Sequence, residues 1–246
     1  MSYDKVKILG INFFRGSEKD VFNLLIEKGG LLTVPAAPAL VNIKSDSSYY
    51  QSLLGSDIVI PDSGYMILIW NLLSNEKINK ISGLMFINYF IKKIKLMDSE
   101  LFLINPSNQE GAINKAFFSK NGLNINNEFI YTAPYYKESV KDVKLLQLLE
   151  INQPKWILIN IGGGTQEKLG YFLKKNLTYK PAIICTGAAL AFKTGSQVNI
   201  PSVVDKIHLG WLSRCISNPK IFIPRYLGAF KLISLLLKYK SEKVIY

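Results

Sequence analysis

Short apolar runs rich in β-branched residues recur at 6–11, 31–34, 57–60, 101–104, 128–132, 156–161 and 181–186, and each reads as a buried strand. Helical patterns fill the intervals at 18–28, 64–73, 84–95, 109–120, 138–150 and 166–175. Strands alternating with helices of this length predict a mostly parallel sheet covered on both faces. Past Gly195 the strand pattern stops, and two further helices are expected at 202–216 and 224–239, the second opened by Pro224 in its first turn. No internal repeat or low-complexity segment interrupts the pattern.

Composition narrows this picture. A chain of 246 residues with 48% hydrophobic residues buries one substantial core, as one large α/β domain or a domain with an appendage. Its 20% charged and 12% aromatic fractions exclude a disordered chain. Cys185 and Cys215 each sit in an apolar run and read as reduced core residues of a cytosolic protein. The opening Met1-Ser2-Tyr3-Asp4-Lys5 lacks the pattern of a signal peptide, and no apolar stretch is long enough to cross a bilayer. The net charge of +12 is unevenly placed: from Leu212 onward seven basic residues face one Glu242, so this tail carries half of it. Such clustering implies an anionic partner, against the alternative of a Lys-rich surface set by overall composition.

In open α/β sheets ligands bind outside the carboxyl ends of the strands, so the loops there are the places to look for chemistry. Asp62, in Pro61-Asp62-Ser63-Gly64, ends an apolar strand just before a helix. A carboxylate there is placed to take a proton from a hydroxyl, although position alone favours a helix cap. Gly162, Gly163 and Gly164 follow a strand and precede a helix, where backbone N–H groups and the helix N-terminus can meet a diphosphate. The loop is neither a Walker loop nor a full dinucleotide fingerprint, and a turn needing glycine only for its geometry is the alternative. Thr186 and Gly187 end another strand, as a second crevice wall or as close packing. There is no His/Cys cluster of metal-ligand spacing and only one histidine, His208; no Asp-x-Asp pair, serine elbow or nucleic-acid motif is present.

Taken in order, these segments resemble the WecG/TagA/CpsF family of glycosyltransferases over nearly the whole chain. The resemblance runs through the opening strand around Gly10, Thr33 at a strand end, Asp57…Pro61-Asp62-Ser63-Gly64, Ile81-Ser82-Gly83 and Gly162…Gln166-Glu167. It is most specific at Gly187-Ala188-Ala189, Phe192, Gly195, Pro201, Leu209, Trp211, Arg214, Pro219 and Arg225-Tyr226. It implies a Rossmann-like α/β core over 1–195 and a basic helical appendage over 196–246 that closes the active site and meets the membrane. It further implies an inverting, metal-independent transfer of a hexose-type sugar from a UDP-sugar to an undecaprenyl-diphosphate-linked sugar, with no cofactor. By that analogy Asp62 is the general base, which outweighs the cap reading. Thr33 and Gln166 lie in the donor pocket with Glu167 beside them, and Lys80, Arg214 or Arg225 help to hold the leaving UDP. The expected partners are the UDP-sugar, the lipid-linked acceptor and an anionic membrane surface, not nucleic acid; a homo-oligomer is compatible with the sequence.

The chain also departs from the family pattern. Val34 and Pro35 follow Thr33 where the family has Asn, and Lys80 replaces an Arg, keeping charge but losing bidentate geometry. Ala191 stands for an Asp, Asn199-Ile200-Pro201 for Arg-Ala-Pro, Gly210 for a Glu, and Leu103-Ile104-Asn105-Pro106 for a Gly-Gly turn. These changes read as altered donor or acceptor specificity, with a catalytically impaired nucleotide-sugar-binding or scaffold protein at the membrane as the alternative.

Overall fold

The apolar run at 6–11 does not continue as one strand, because Leu9 and Gly10 both take positive φ, 52° and 76°. Two such residues make the tight turn that matches strand twist. The run therefore folds into an antiparallel hairpin of β1 (Lys5–Ile8) and β2 (Ile11–Phe14). A computed structural model describes residues 3–97, 100–137, 139–195 and 219–245. The other strands are β3 (Gly30–Thr33), β4 (Ile58–Val59), β5 (Leu101–Asn105), β6 (Ile130–Thr132), β7 (Trp156–Ile159) and β8 (Ala182–Cys185). They form one sheet in the order β1-β2-β4-β3-β8-β7-β5-β6, parallel everywhere except in the hairpin. Every residue of β3, β5, β7 and β8 is buried, as an unbroken apolar run in a doubly covered sheet requires. The Rossmann-like α/β expectation holds.

Serine side chains set where several helices begin. Ser17, Ser63, Ser82 and Ser107 cap α1 (Glu18–Lys28), α4 (Gly64–Leu73), α5 (Gly83–Ile94) and α6 (Asn108–Lys120) by accepting from the first turn. Asp142 delays α7 (Val143–Asn152) past its expected start by accepting the Leu145 N–H, and the Tyr131 and Tyr136 hydroxyls also donate to it. α8 (Thr165–Asn176) follows the glycine loop. The sequence pattern does not disclose α2 (Ala37–Leu40), α3 (Ser47–Leu54) or α9 (Ala189–Thr194), which are too short for helical periodicity to stand out.

The tail differs most from expectation. Instead of one helix opened by Pro224, there are two, α10 (Pro219–Ala229) and α11 (Lys231–Tyr239). Pro219 occupies the first position, where a missing N–H costs nothing, and Pro224 lies inside α10. Ala229, Leu232, Leu236, Tyr239 and Val244 are buried in a core shared with the hairpin, α2, α3 and α4. The Leu9 and Gly10 N–H groups donate to the Lys240 and Ser241 carbonyls at 2.7 and 3.1 Å. The Tyr50 hydroxyl donates to Leu9 O at 2.7 Å and accepts from the Val244 N–H at 3.0 Å. The part of the expected appendage that is described, 219–245, thus packs its apolar face into a core shared with the hairpin, α2, α3 and α4. Leu227, Phe230, Ile233 and Leu237, which recur at spacings of three and four, do not form the buried face: Leu227, Phe230 and Leu237 are exposed and Ile233 is half-buried. The expected helix at 202–216 lies outside the described residues.

Candidate active site

The parallel strands of this sheet end in polar residues at one level. Asn105 closes β5, Asn160 follows β7 and Thr186 follows β8, with Ile104 paired to Ile159 and Ile159 to Cys185. Above these ends lies a cavity of about 680 Å³, walled by loops after β3, β5, β7 and β8 and by α3 and α10. That volume lies within the usual range for small-molecule sites. A smaller cleft of about 70 Å³ adjoins it, and Ala36, Gly187 and Ala188 line both.

Asp62 lines the smaller cleft together with Ser82, Thr186 and Ala189. The cap of α4 is its neighbour Ser63, whose hydroxyl accepts from the Met66 N–H at 3.2 Å. Asp62 is instead half-buried and accepts the Gly83 N–H at 3.1 Å, so its carboxylate is fixed by the first amide of α5. Gly83 packs closely there, since an added Cβ would lie 3.2 Å from Val34 Cγ1 and press that side chain aside. The segment carrying Lys80 is tied back by the Ile81 N–H donating to Pro61 O at 3.1 Å. Lys80 itself is half-buried and lines neither cavity.

Gly162, Gly163 and Gly164 form one wall of the larger cavity, and a Cβ on any of them would meet nothing within 4 Å. The three are not equivalent. Gly162 and Gly164 need their positive φ of 96° and 89°, whereas Gly163 does not. The Gly164 N–H is already taken: it donates to Glu167 Oε2 at 2.6 Å. Glu167 is buried, and burial pushes its carboxyl above the usual range against the pull of Gln166, the Gly164 amide and Lys168. Its carboxylate meets the positive end of α8 that the sequence reading offered to a diphosphate. Gln166 is buried against Gly187 and donates from Nε2 to Glu167 Oε1 at 3.1 Å.

Thr33 stands at the end of β3 with 0% exposure, and its hydroxyl donates to Ser56 Oγ at 3.0 Å. It lines neither of the two cavities described and packs at the end of its strand, behind Val34, which lines the smaller cleft. Arg225 is on α10, a helix that lines the larger cavity through Pro224 and Gly228. Arg214 lies outside the described residues. Cys185 is buried, its thiol raised by burial and then by Glu167, and Sγ donates to Gln166 O at 3.3 Å.

The structure adds residues that the sequence did not flag. Tyr49, Asp46, Asn160, Glu110 and Asn114 all line the larger cavity. Asn105 and Asn160 had a readable signal, an amide closing an apolar run, whereas Tyr49 arrives on the unexpected α3. Among the described residues, Tyr49 Oη, Asn160 Oδ1, Gln166 Oε1 and Thr186 Oγ1 are buried without a hydrogen-bond partner. An unmatched buried polar atom costs about 1–3 kcal/mol, so four around one crevice point to a ligand site.

A Rossmann-like sheet with a crevice at its strand ends and a fixed carboxylate beside it defines the class of α/β proteins that take a ligand at the carboxyl ends of their strands. The sequence profile of the glycosyl transferase WecG/TagA/CpsF family matches residues 6–244, and the chain belongs to that family. It is thereby a glycosyltransferase of cell-surface polysaccharide synthesis, acting between a nucleotide-sugar donor and a sugar acceptor. Among curated proteins none matches the chain significantly.

Proposed function

We propose that the protein moves a hexose-type sugar from a UDP-sugar to an undecaprenyl-diphosphate-linked sugar, with inversion and without a metal. The carrying observation is Asp62, relieved of the capping role by Ser63 and fixed at 3.1 Å from the Gly83 amide in a cleft that opens beside the larger cavity. Asp62 takes the proton of the acceptor hydroxyl as its oxygen attacks the anomeric carbon. The bond from that carbon to the diphosphate oxygen breaks on the opposite face, and UDP leaves with the electron pair. Its charge is met by cations brought to the crevice, Arg214 or Arg225 of the tail with Lys80 as the alternative, since the described side chains lining the larger cavity include Asp46 and Glu110 and no Lys or Arg. Gly162, Gly163, Gln166, Glu167, Thr186 and Gly187 shape the donor crevice. Ala191, which stands where the family has an Asp, lines the larger cavity, which supports a changed donor contact at that wall.

The membrane part of the reading is supported by the tail and its neighbour. No helix among the described residues is long and apolar enough to cross a bilayer. Yet α4 exposes Leu68 and Leu72, and α10 and α11 expose Leu227, Phe230 and Leu237. Tyr65 of α4 and Phe230 meet edge to face at 5.8 Å, joining these helices at the surface. Lys231 and Lys238 are exposed on the same tail, matching an anionic leaflet. The test is a panel of UDP-sugars with a lipid-linked sugar acceptor: acceptor-dependent UDP release supports the transfer. Binding of UDP without release under any pairing would favour the scaffold instead.

A further inference from the structure

Tyr49 is the third residue of α3, and its position follows from the cap: Asp46 Oδ1 accepts the Tyr49 N–H at 2.9 Å. The ring is buried, with 1% exposure, yet it contributes to the wall of the larger cavity. Among the described residues its hydroxyl has no hydrogen-bond partner. The two nearest carboxylates are committed elsewhere. Asp46 accepts from Ser48 at 2.8 Å and pairs with Lys168 at 2.6 Å, while Glu167 accepts from Gly164 and Gln166. Burial, then the charges of Glu167 and Asp46, raise the phenol well above its ordinary range, so it remains a donor at any working pH. Asn160 Oδ1, an acceptor without a partner, lines the same cavity.

Charge and position then sort the donor molecule. Asp46 and the buried Glu167 act on Tyr49 by charge, which makes its surroundings unfavourable for a diphosphate and suitable for an uncharged group rich in N–H, C=O and hydroxyls. The reacting sugar must lie at Asp62 in the smaller cleft. The larger cavity meets that cleft at Ala36, Gly187 and Ala188, so the diphosphate follows the sugar through that junction and the nucleoside takes the remainder of the larger cavity, which Tyr49 and Asn160 line. We infer that Tyr49 is a nucleoside-binding residue of this enzyme, its phenol donating a hydrogen bond to an uncharged oxygen of the nucleoside while Asn160 Oδ1 accepts one. This rests on the functional reading above.

The test is Tyr49→Phe, read by thermal midpoint and by calorimetric titration with UDP, uridine and inorganic pyrophosphate. Because the hydroxyl is unpartnered, the variant should be as stable as the wild type or more so. Affinity for uridine and UDP should fall roughly three- to tenfold, with pyrophosphate unchanged. Unchanged uridine and UDP affinity overturns the assignment, as does a loss confined to pyrophosphate. A wild type that binds pyrophosphate as well as UDP and no uridine overturns it too. Should Tyr49→Phe destabilise the fold, Asn160→Ala carries the same uridine-against-pyrophosphate comparison. A wild type that binds none of the three defeats the functional reading itself, an outcome distinct from failure of the Tyr49 assignment alone.

Discussion

At the scale of single residues, Ser63 caps α4 and leaves Asp62 to the cleft, which is what the proposed general-base role needs. Asp62→Asn keeps an oxygen to accept the Gly83 N–H, and Ser63 still caps α4, so the fold should be unaffected. Turnover should fall by roughly two to four orders of magnitude in an acceptor-dependent UDP-release assay, while UDP binding stays normal. A near-normal rate would remove Asp62 from the chemistry. The glycine loop gives a second test. Gly163 has an ordinary φ and open space at its Cβ, so Gly163→Val should leave the thermal midpoint alone and weaken UDP binding at least about tenfold. The same change at Gly164, with φ of 89°, would strain the backbone and confuse the two effects. The sequence made Asp62 and the three glycines legible because an apolar run ends at each. It could not show that Thr33 faces Ser56, or that Tyr49 reaches the cavity, since both depend on neighbours distant along the chain.

Among the elements, α3 and α8 are joined by the Asp46–Lys168 ion pair, and this contact holds Tyr49 beside the glycine loop. Burial raises the Asp46 carboxyl, but the Lys168, Tyr49 and Ser48 contacts outweigh it and leave the group below its ordinary 3.8. A carboxyl lowered in the folded state stabilises it above the unfolded pKa, and that stability is lost as pH falls through the folded value. Asp46→Asn can still cap α3 but loses the ion pair. It should cost less than about 1 kcal/mol at pH 7, because the pair is partly exposed, and the difference from wild type should shrink as pH falls below the ordinary carboxylate value of 3.8. Thermal unfolding followed from pH 7 into acid measures this, and a difference that did not narrow at all as pH fell would show that the charge is not its source. Glu167 acts in the opposite sense: its raised carboxyl favours the folded state at low pH, and that contribution is lost as pH rises through its folded value. The helices around these two acids were unequally legible. α8 shows its period over twelve residues, whereas α3 has only eight and starts at a cap that is visible only once Asp46 is seen to accept the Tyr49 N–H.

For the molecule as a whole, the tail has two faces with different consequences. Leu236 is buried in the core it shares with the hairpin, so Leu236→Ala should cost about 2–5 kcal/mol of stability. Phe230 is 57% exposed, so Phe230→Ser should change stability little and reduce retention on anionic vesicles. Denaturant unfolding and vesicle sedimentation read the pair; equal retention of both variants would detach the exposed face from membrane binding. The sequence by itself determined the parallel α/β sheet, because fully buried strands must be unbroken apolar runs, and it determined which loops end at the ligand side. It determined too that the tail is basic and helical. Only the tertiary structure decided that the first run bends at Leu9 and Gly10, that α11 turns Leu232, Leu236 and Tyr239 inward rather than the stripe through Phe230, and that Glu167 meets the charge of α8. The physical reason is that periodicity reports which faces of an element are apolar. Which of two apolar faces is buried, and which polar atom is left without a partner, depends on what the rest of the chain brings against it.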